Sequence, residues 1–253
     1  MGKCLEVILS PAEFAPLRQR DLSGAVCVVF DILRATSSMI TALYHGAEAI
    51  IPVAEIDEAL AIRRERPEVL LAGERRGVRI PAALTGGTEF DLGNSPREFT
   101  PDLVRGKTIV MTTTNGTRAL RACAGSKVAL AASFLNLGAT IDCLKEISPP
   151  HLILVCGGTF EESALEDTLA AGAICESLWT WYEDGHVADS AEMARRLYGL
   201  MGANLLEAMN HALNGRRLLA KPELREDVPF SLQRDLMPLL AQVQPDGSVR
   251  RQK

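Results

Sequence analysis

The chain has 253 residues, 47% hydrophobic and 23% charged, with a formal charge of -5. These values are those of an ordinary globular chain, and the length suffices for a core that needs no metal or disulfide support, so collagen-like, low-complexity and disordered classes are excluded. The acidic balance argues against wholesale binding to nucleic acid or anionic membrane, which both need a basic face, while leaving room for a local basic pocket that takes a small anion.

In chain order, Leu5 to Leu9 reads as a strand, and Ala25 to Phe30 (AVCVVF) as a stronger one, apolar on both faces. A helical pattern follows from Thr36 to Tyr44, then a strand from Ala49 to Val53. The amphipathic stretch Ile56 to Arg66 is stopped by Pro67, and Val69 to Ala72 is a short strand. Gly77 to Pro101 is rich in Gly and Pro with little periodicity, and a loop of that length inside a compact domain is usually functional or mobile.

Thr108 to Met111, Lys127 to Ala132 and Leu152 to Cys156 are strands, with helices from Gly116 to Cys123, Asn136 to Ile147 and Leu165 to Tyr182 between and after them. From Asp189 the pattern is helical almost to Asn214, weakened at Gly199 and Gly202. The last forty residues are polar, with one helical stretch near Leu232 to Val243, and residues 244–253 are expected to be a frayed tail. Apolar strands alternating with helices predict a single α/β domain over 1–253, a three-layer α/β/α arrangement with a largely parallel or mixed sheet.

No apolar run reaches the ~18 residues of a membrane span. The start lacks the apolar stretch of a signal peptide. Cys4, Cys27, Cys123, Cys143, Cys156 and Cys175 lie in apolar strand or helix patterns without zinc spacing, and read as reduced thiols of a cytoplasmic protein.

Ligands of such sheets gather beyond the carboxyl ends of the strands. Phe30 is followed by Asp31, Arg34, Thr36 and Ser37; Ala72 by Gly73, Glu74, Arg75 and Arg76; Met111 by Thr112, Thr113, Thr114, Asn115, Gly116 and Thr117; and Cys156 by Gly157, Gly158 and Thr159. Asp31 can serve as a hard oxygen ligand for Mg²⁺ or a nucleophile, or equally as the partner of Arg34 or a helix cap. The threonine-rich run before a helix suits an anion, with plain helix capping as the competing reading. Asn94, Ser95 and Pro96 read as a surface turn, and Glu166 and Asp167 occupy the first turn of a helix, where carboxylates are favoured by the dipole or serve as metal ligands and acid/base groups. Gly106-Lys107-Thr108 imitates the end of a phosphate-binding loop but precedes a strand instead of following one.

The segments Val28 to Thr36, Gly73-Glu74-Arg75, Phe90 to Pro96, Thr112 to Thr117 and Leu165-Glu166-Asp167, in that order, together resemble the 2-phosphosulfolactate phosphatase family of the coenzyme M pathway. The resemblance spans about residues 5 to 200. It implies a homodimeric hydrolase that uses Mg²⁺ to convert (2R)-2-phospho-3-sulfolactate to 3-sulfolactate and phosphate. It implies metal ligation by Asp31 with Glu74, Asp91 and Glu166, and catalytic roles for Asp31, Glu166 and Asp167. Substrate contacts are expected from Arg34, Thr36, Arg75, Asn94, Ser95 and the segment Thr113, Thr114, Asn115, Gly116 and Thr117. A non-catalytic binding module for a phosphorylated or sulfonated metabolite is the alternative.

Overall fold

A computed structural model describes residues 2–252. The strands are β1 (Cys4–Ile8), β2 (Ala25–Phe30), β3 (Ala49–Val53), β4 (Leu70–Arg75), β5 (Val78–Arg79), β6 (Thr108–Thr112), β7 (Val128–Ala132), β8 (His151–Cys156), β9 (His186–Val187), β10 (Ala241–Val243) and β11 (Val249–Arg251). They form one sheet in the order β5-β4-β6-β3-β11-β10-β7-β2-β8-β1-β9. The helices used below are α1 (Phe14–Arg18), α2 (Ala35–Tyr44), α3 (Ile56–Glu65), α4 (Pro101–Val104), α5 (Gly116–Ala122), α6 (Leu137–Ile147), α7 (Leu165–Leu178), α8 (Asp189–Met201), α9 (Leu205–Ala208), α10 (Leu213–Leu219) and α11 (Asp227–Ser231).

The apolar runs form strands covered on both faces, as parallel pairing demands. All six residues of β2 are buried. Val26, Val28 and Phe30 join one core with residues of α6, α7 and α8. Cys27 and Val29 join another with residues of α1, α2 and α5. This period-two division is the physical content of three layers. Close helix packing on the first face depends on Gly172 of α7, where a Cβ would stand 2.7 Å from Tyr198 Cβ of α8. No helix among the described residues is long and apolar enough to cross a membrane.

Two parallel blocks, β4-β6-β3 and β7-β2-β8-β1-β9, are joined by an antiparallel hairpin. That hairpin is β10–β11: its turn and second strand lie in the segment expected to be frayed, and its first strand ends the stretch expected to be helical. Ala241 pairs with Ala131 of β7 and Val249 with Ile50 of β3. Its strands are three residues each, too short to show a periodicity, and their stability comes from central position: Val249 is fully buried. The turn is closed by Gly247 at φ 80° and by Asp246 Oδ1, which accepts from the Ser248 N–H at 2.9 Å. The stretch expected as a helix over 232–243 is irregular ahead of β10, because its backbone bonds go elsewhere: Met237 N–H donates to the Leu135 carbonyl (2.8 Å), and Asn136 Nδ2 to the Leu239 carbonyl (3.1 Å). The long helix expected from Asp189 stops at Gly202, and α9 and α10 follow as separate short helices.

β6 and β2 stand five positions apart in the sheet. Laid flat, the strands would stand about 24 Å apart at ~4.8 Å per strand, and because the hairpin reverses direction between the blocks their carboxyl ends would lie at opposite edges of the sheet, farther apart still. Yet a Cβ on Gly116, just past β6, would lie 2.6 Å from Asp31 Oδ2, just past β2. The sheet therefore curls strongly, and the carboxyl ends of the two parallel blocks face each other.

Candidate functional site

That curl makes one cleft. Asp31 and Arg34 reach it from β2, Glu74, Arg76 and Gly77 from the end of β4, Asn94 from the long loop, Thr114 and Asn115 from β6, Gly158, Thr159 and Phe160 from β8, and Asn214, Arg217, Leu218 and Lys221 from α10 and the residues after it.

Asp31 is 9% exposed, with Oδ1 accepting from the Ala35 N–H at 3.0 Å. Burial drives its carboxyl up to about 6; the Ala35 N–H opposes this, the Glu74 charge adds to it and Arg34 opposes it. Glu166, fully shut from solvent, is pushed up to about 7 by burial, with Asp31 adding to the rise and Asn214 opposing it. Asp167 is also raised, by burial and then by Asp31 and Glu166. Three carboxyl groups thus crowd one buried region with no guanidinium among them to match their charge in full.

The acids differ in what their oxygens already do. Asp167 accepts from the Ile32 N–H (2.8 Å) and the Gly158 N–H (2.9 Å), so it ties the end of β2 to the end of β8. Glu74 accepts from the Thr114 N–H (2.9 Å), the Thr114 hydroxyl (2.8 Å) and the Gly77 N–H (2.6 Å), which holds the β4–β5 turn against the β6 loop. Glu166 Oε2 and Asn94 Oδ1, by contrast, are buried acceptors with no donor among the described residues. A group so placed costs roughly 1–3 kcal/mol unless something satisfies it. These hard oxygen donors, beside Asp31, fit a divalent cation of the Mg²⁺ type.

Several expected site residues are engaged elsewhere. Asp91 is not part of the cleft: Arg63 donates to it at 2.7 Å and so does the Leu71 N–H at 2.7 Å, which makes it a brace for the edge of β4. Arg75 turns away to Thr112 Oγ1 (3.0 Å) and the carbonyls of Glu74 and Ala54, as the alternation of a strand requires. Thr36 exchanges two bonds with the Asp31 backbone, both 3.0 Å. Thr113 Oγ1 accepts from the Thr117 N–H, and Thr117 Oγ1 donates to the Thr113 carbonyl, so these hydroxyls stiffen the start of α5. Gly116 is a packing position: a Cβ there would meet Ala35 Cβ at 2.5 Å. Ser95 donates to Asp227 Oδ1 at 2.6 Å.

Asp227 itself, from the region the sequence left unassigned, is wholly buried and pairs with Arg34 at 2.7 Å; Arg34 Nη2 also donates to the Gly77 carbonyl (2.8 Å). Arg34 faces the cleft with its charge already compensated. Asn115 lines the cleft but spends Nδ2 on the carbonyls of Gly158 (3.0 Å) and Phe160 (2.8 Å). Sequence reasoning missed Arg217, Lys221, Asn214 and Phe160 as well. Arg76 stood in its strand-end inventory without a role, although the strand alternation that removes Arg75 points to its neighbour.

Among the described residues, the group of metal-ligating side chains with atoms all within 4.8 Å of one another is Cys4, Glu6 and His151, at the opposite end of the sheet. There Glu6 is already held by Arg20, through contacts of 2.5 and 2.9 Å, and by His151 at 2.6 Å. The strand-end acids do not form so tight a trio.

Residues 13–246 match the family model described as 2-phosphosulpholactate phosphatase. A protein of Thermotoga petrophila named "Probable 2-phosphosulfolactate phosphatase" is 38% identical over 92% of each chain. Proteins with the same name from Caldanaerobacter subterraneus subsp. tengcongensis and from a Synechococcus strain (JA-3-3Ab) are 37% and 39% identical, over 92% and 87% of this chain and 93% and 90% of theirs. The match runs from α1 to the turn of the central hairpin and so includes every strand end that builds the cleft; the chain belongs to the 2-phosphosulpholactate phosphatase family.

Proposed function

We propose that the cleft hydrolyses the phosphate ester of (2R)-2-phospho-3-sulfolactate with Mg²⁺ as cofactor. The observation that carries this reading is a cleft lined by Asp31, Glu74 and Asn94 with a cationic rim, in which Asn94 Oδ1 is buried without a donor, while Glu166, buried close enough to feel the Asp31 charge, has Oε2 likewise unsatisfied. Glu166 and Asn94, whose buried oxygens lack a donor, are the residues that would hold the metal, with Asp31 left as the base. When bound, Mg²⁺ supplies charge neutralisation for the phosphate oxygens. The family membership of the chain and the names its relatives carry support the substrate.

The chain's own residues do the rest. The Ala35 N–H fixes one oxygen of Asp31 and leaves Oδ2 free beside Gly116 and Gly157. From there Asp31 takes the proton of the attacking water and returns it to the departing hydroxyl oxygen of sulfolactate as the ester bond breaks. Glu166 keeps a second carboxyl next to it. Asp167 and Glu74 do not touch the substrate: they lock the loops after β2, β8 and β4, so that the reacting atoms meet a fixed frame.

The test is a phosphate-release screen over phosphorylated hydroxy acids with and without Mg²⁺. The expected result is Mg²⁺-dependent release, fastest with 2-phospho-3-sulfolactate. Tight binding of the same compounds with no release over hours would overturn it in favour of a binding module.

A further inference from the structure

We propose that Arg76, Arg217 and Lys221 form a second anion subsite at the mouth of the cleft, which takes the carboxylate and sulfonate of the substrate while the floor holds its phosphate. This rests on the phosphatase reading and deepens it by assigning the residues that select a multiply charged ester.

The three cations come from two distant parts of the chain, Arg76 from the β4–β5 turn and Arg217 and Lys221 from α10 and the residues after it, and they converge on one cleft of an acidic protein. None has a carboxylate within 4.0 Å among the described residues, whereas Arg34, at the same cleft, is neutralised by Asp227. Like charges gathered without a counterion repel one another, and a bound anion removes that cost.

Each cation is also carried on an anchored support. Arg76 sits at φ 56° in the β4–β5 turn, which Glu74 holds through the Gly77 N–H and Arg34 holds through the Gly77 carbonyl. Arg217 lies over the Phe160 ring, 4.8 Å from its centroid, and Asn115 fixes that aromatic shelf by donating to the Phe160 carbonyl. Lys221 follows α10 by two residues, its N–H bonded to the Leu218 carbonyl at 3.0 Å, and α10 is tied down by Asn214, which donates to the Leu33 carbonyl.

The charge balance fits the ligand. A phosphate monoester carries about -1.5 to -2 at neutral pH, and a carboxylate and a sulfonate add one each, for a total near -4. A divalent cation on the floor and three unpaired cations at the rim match this separation of charge, with one end of the ligand phosphate and the other twice anionic. A cleft built only for a simple phosphate ester has no use for the rim.

The experiment compares kcat/KM of the full chain with Mg²⁺ on 2-phospho-3-sulfolactate, 2-phospholactate and isopropyl phosphate, a series that removes first the sulfonate and then the carboxylate. Arg217→Gln and Lys221→Met are expected to lose about ten- to a hundredfold on the first substrate, as removal of a charged hydrogen bond implies, with the loss shrinking down the series. The preference for 2-phospho-3-sulfolactate over isopropyl phosphate therefore falls at least about tenfold, and Arg217→Lys retains most of it. An equal loss on all three esters would overturn the subsite. If the wild-type chain turns over none of them, the phosphatase reading fails, and calorimetric binding of 3-sulfolactate then decides the subsite separately. Weakening by about tenfold or more in Arg217→Gln upholds it, and equal affinity or no binding to the wild type sinks it.

Discussion

Replacing Asp227 with Asn tests how the cleft is braced. Arg34 is 3% exposed and Asp227 is fully buried, 2.7 Å apart, with Ser95 donating to the other carboxylate oxygen at 2.6 Å. The substitution keeps the shape and removes the charge, so the Arg34 guanidinium is left buried with the Gly77 carbonyl as its remaining partner. Breaking one side of a buried pair costs about 3–5 kcal/mol. For a chain of this size each kcal/mol moves the melting temperature by roughly 2–4 °C, so the expected fall is about 6–20 °C. The assay is urea and thermal unfolding of wild type, Asp227→Asn, Arg34→Met, Asp227→Leu and the double variant Arg34→Met/Asp227→Leu. The double variant should cost less than the sum of its single substitutions, because no unpaired charge remains. A loss below about 1 kcal/mol in Asp227→Asn would refute the reasoning, since a solvated pair behaves that way.

Three further outcomes follow from the geometry. Gly116→Ala places a methyl group 2.5 Å from Ala35 Cβ and 2.6 Å from Asp31 Oδ2, and is expected to cost about 1–3 kcal/mol in urea unfolding and to weaken Mg²⁺ binding measured by calorimetry; wild-type values for both would contradict the packing role. Deleting residues 241–253 removes β10 and β11 and bares the edges of β3 and β7, so the shortened chain should aggregate on size-exclusion chromatography, and a monomer with the native circular-dichroism spectrum would count against the hairpin as the joint. At Glu6, burial raises the carboxyl but hydrogen bonds from Arg20 and His151 outweigh it and hold it below the ordinary 4.5. A lowered carboxylate gives stability that is present above 4.5 and disappears as pH falls through the folded value, so Glu6→Gln should flatten the loss of stability below pH 4.5, and an unchanged acid limb in urea titrations would be the contrary result.

Much of the cleft was legible because parallel strands announce themselves as apolar runs and their carboxyl ends collect ligands. Asp31, Glu74, Thr114 and Asn115 were found this way and do meet, joined by Asn94, which read as a surface turn and entered only through the family resemblance. What stayed hidden has physical causes. Whether a hydroxyl faces a ligand or its own backbone is decided by local geometry, and Thr36, Thr113 and Thr117 chose the backbone. The hairpin β10–β11 was invisible because three-residue strands carry no period and Val249 is buried only by strands distant in sequence. Asp227, Arg217 and Lys221 lie in a polar stretch where nothing local separates a solvated charge from one that folds back over a cleft.

The most direct measurement of the central claim is phosphate release from 2-phospho-3-sulfolactate by the full chain, followed with Mg²⁺, after chelation with EDTA, and in Asp31→Asn. The account predicts turnover that stops in EDTA, returns on adding Mg²⁺, and falls by at least about a hundredfold in Asp31→Asn, within the range expected for loss of a general base. Full release in EDTA, or an Asp31→Asn variant as fast as wild type, would contradict it.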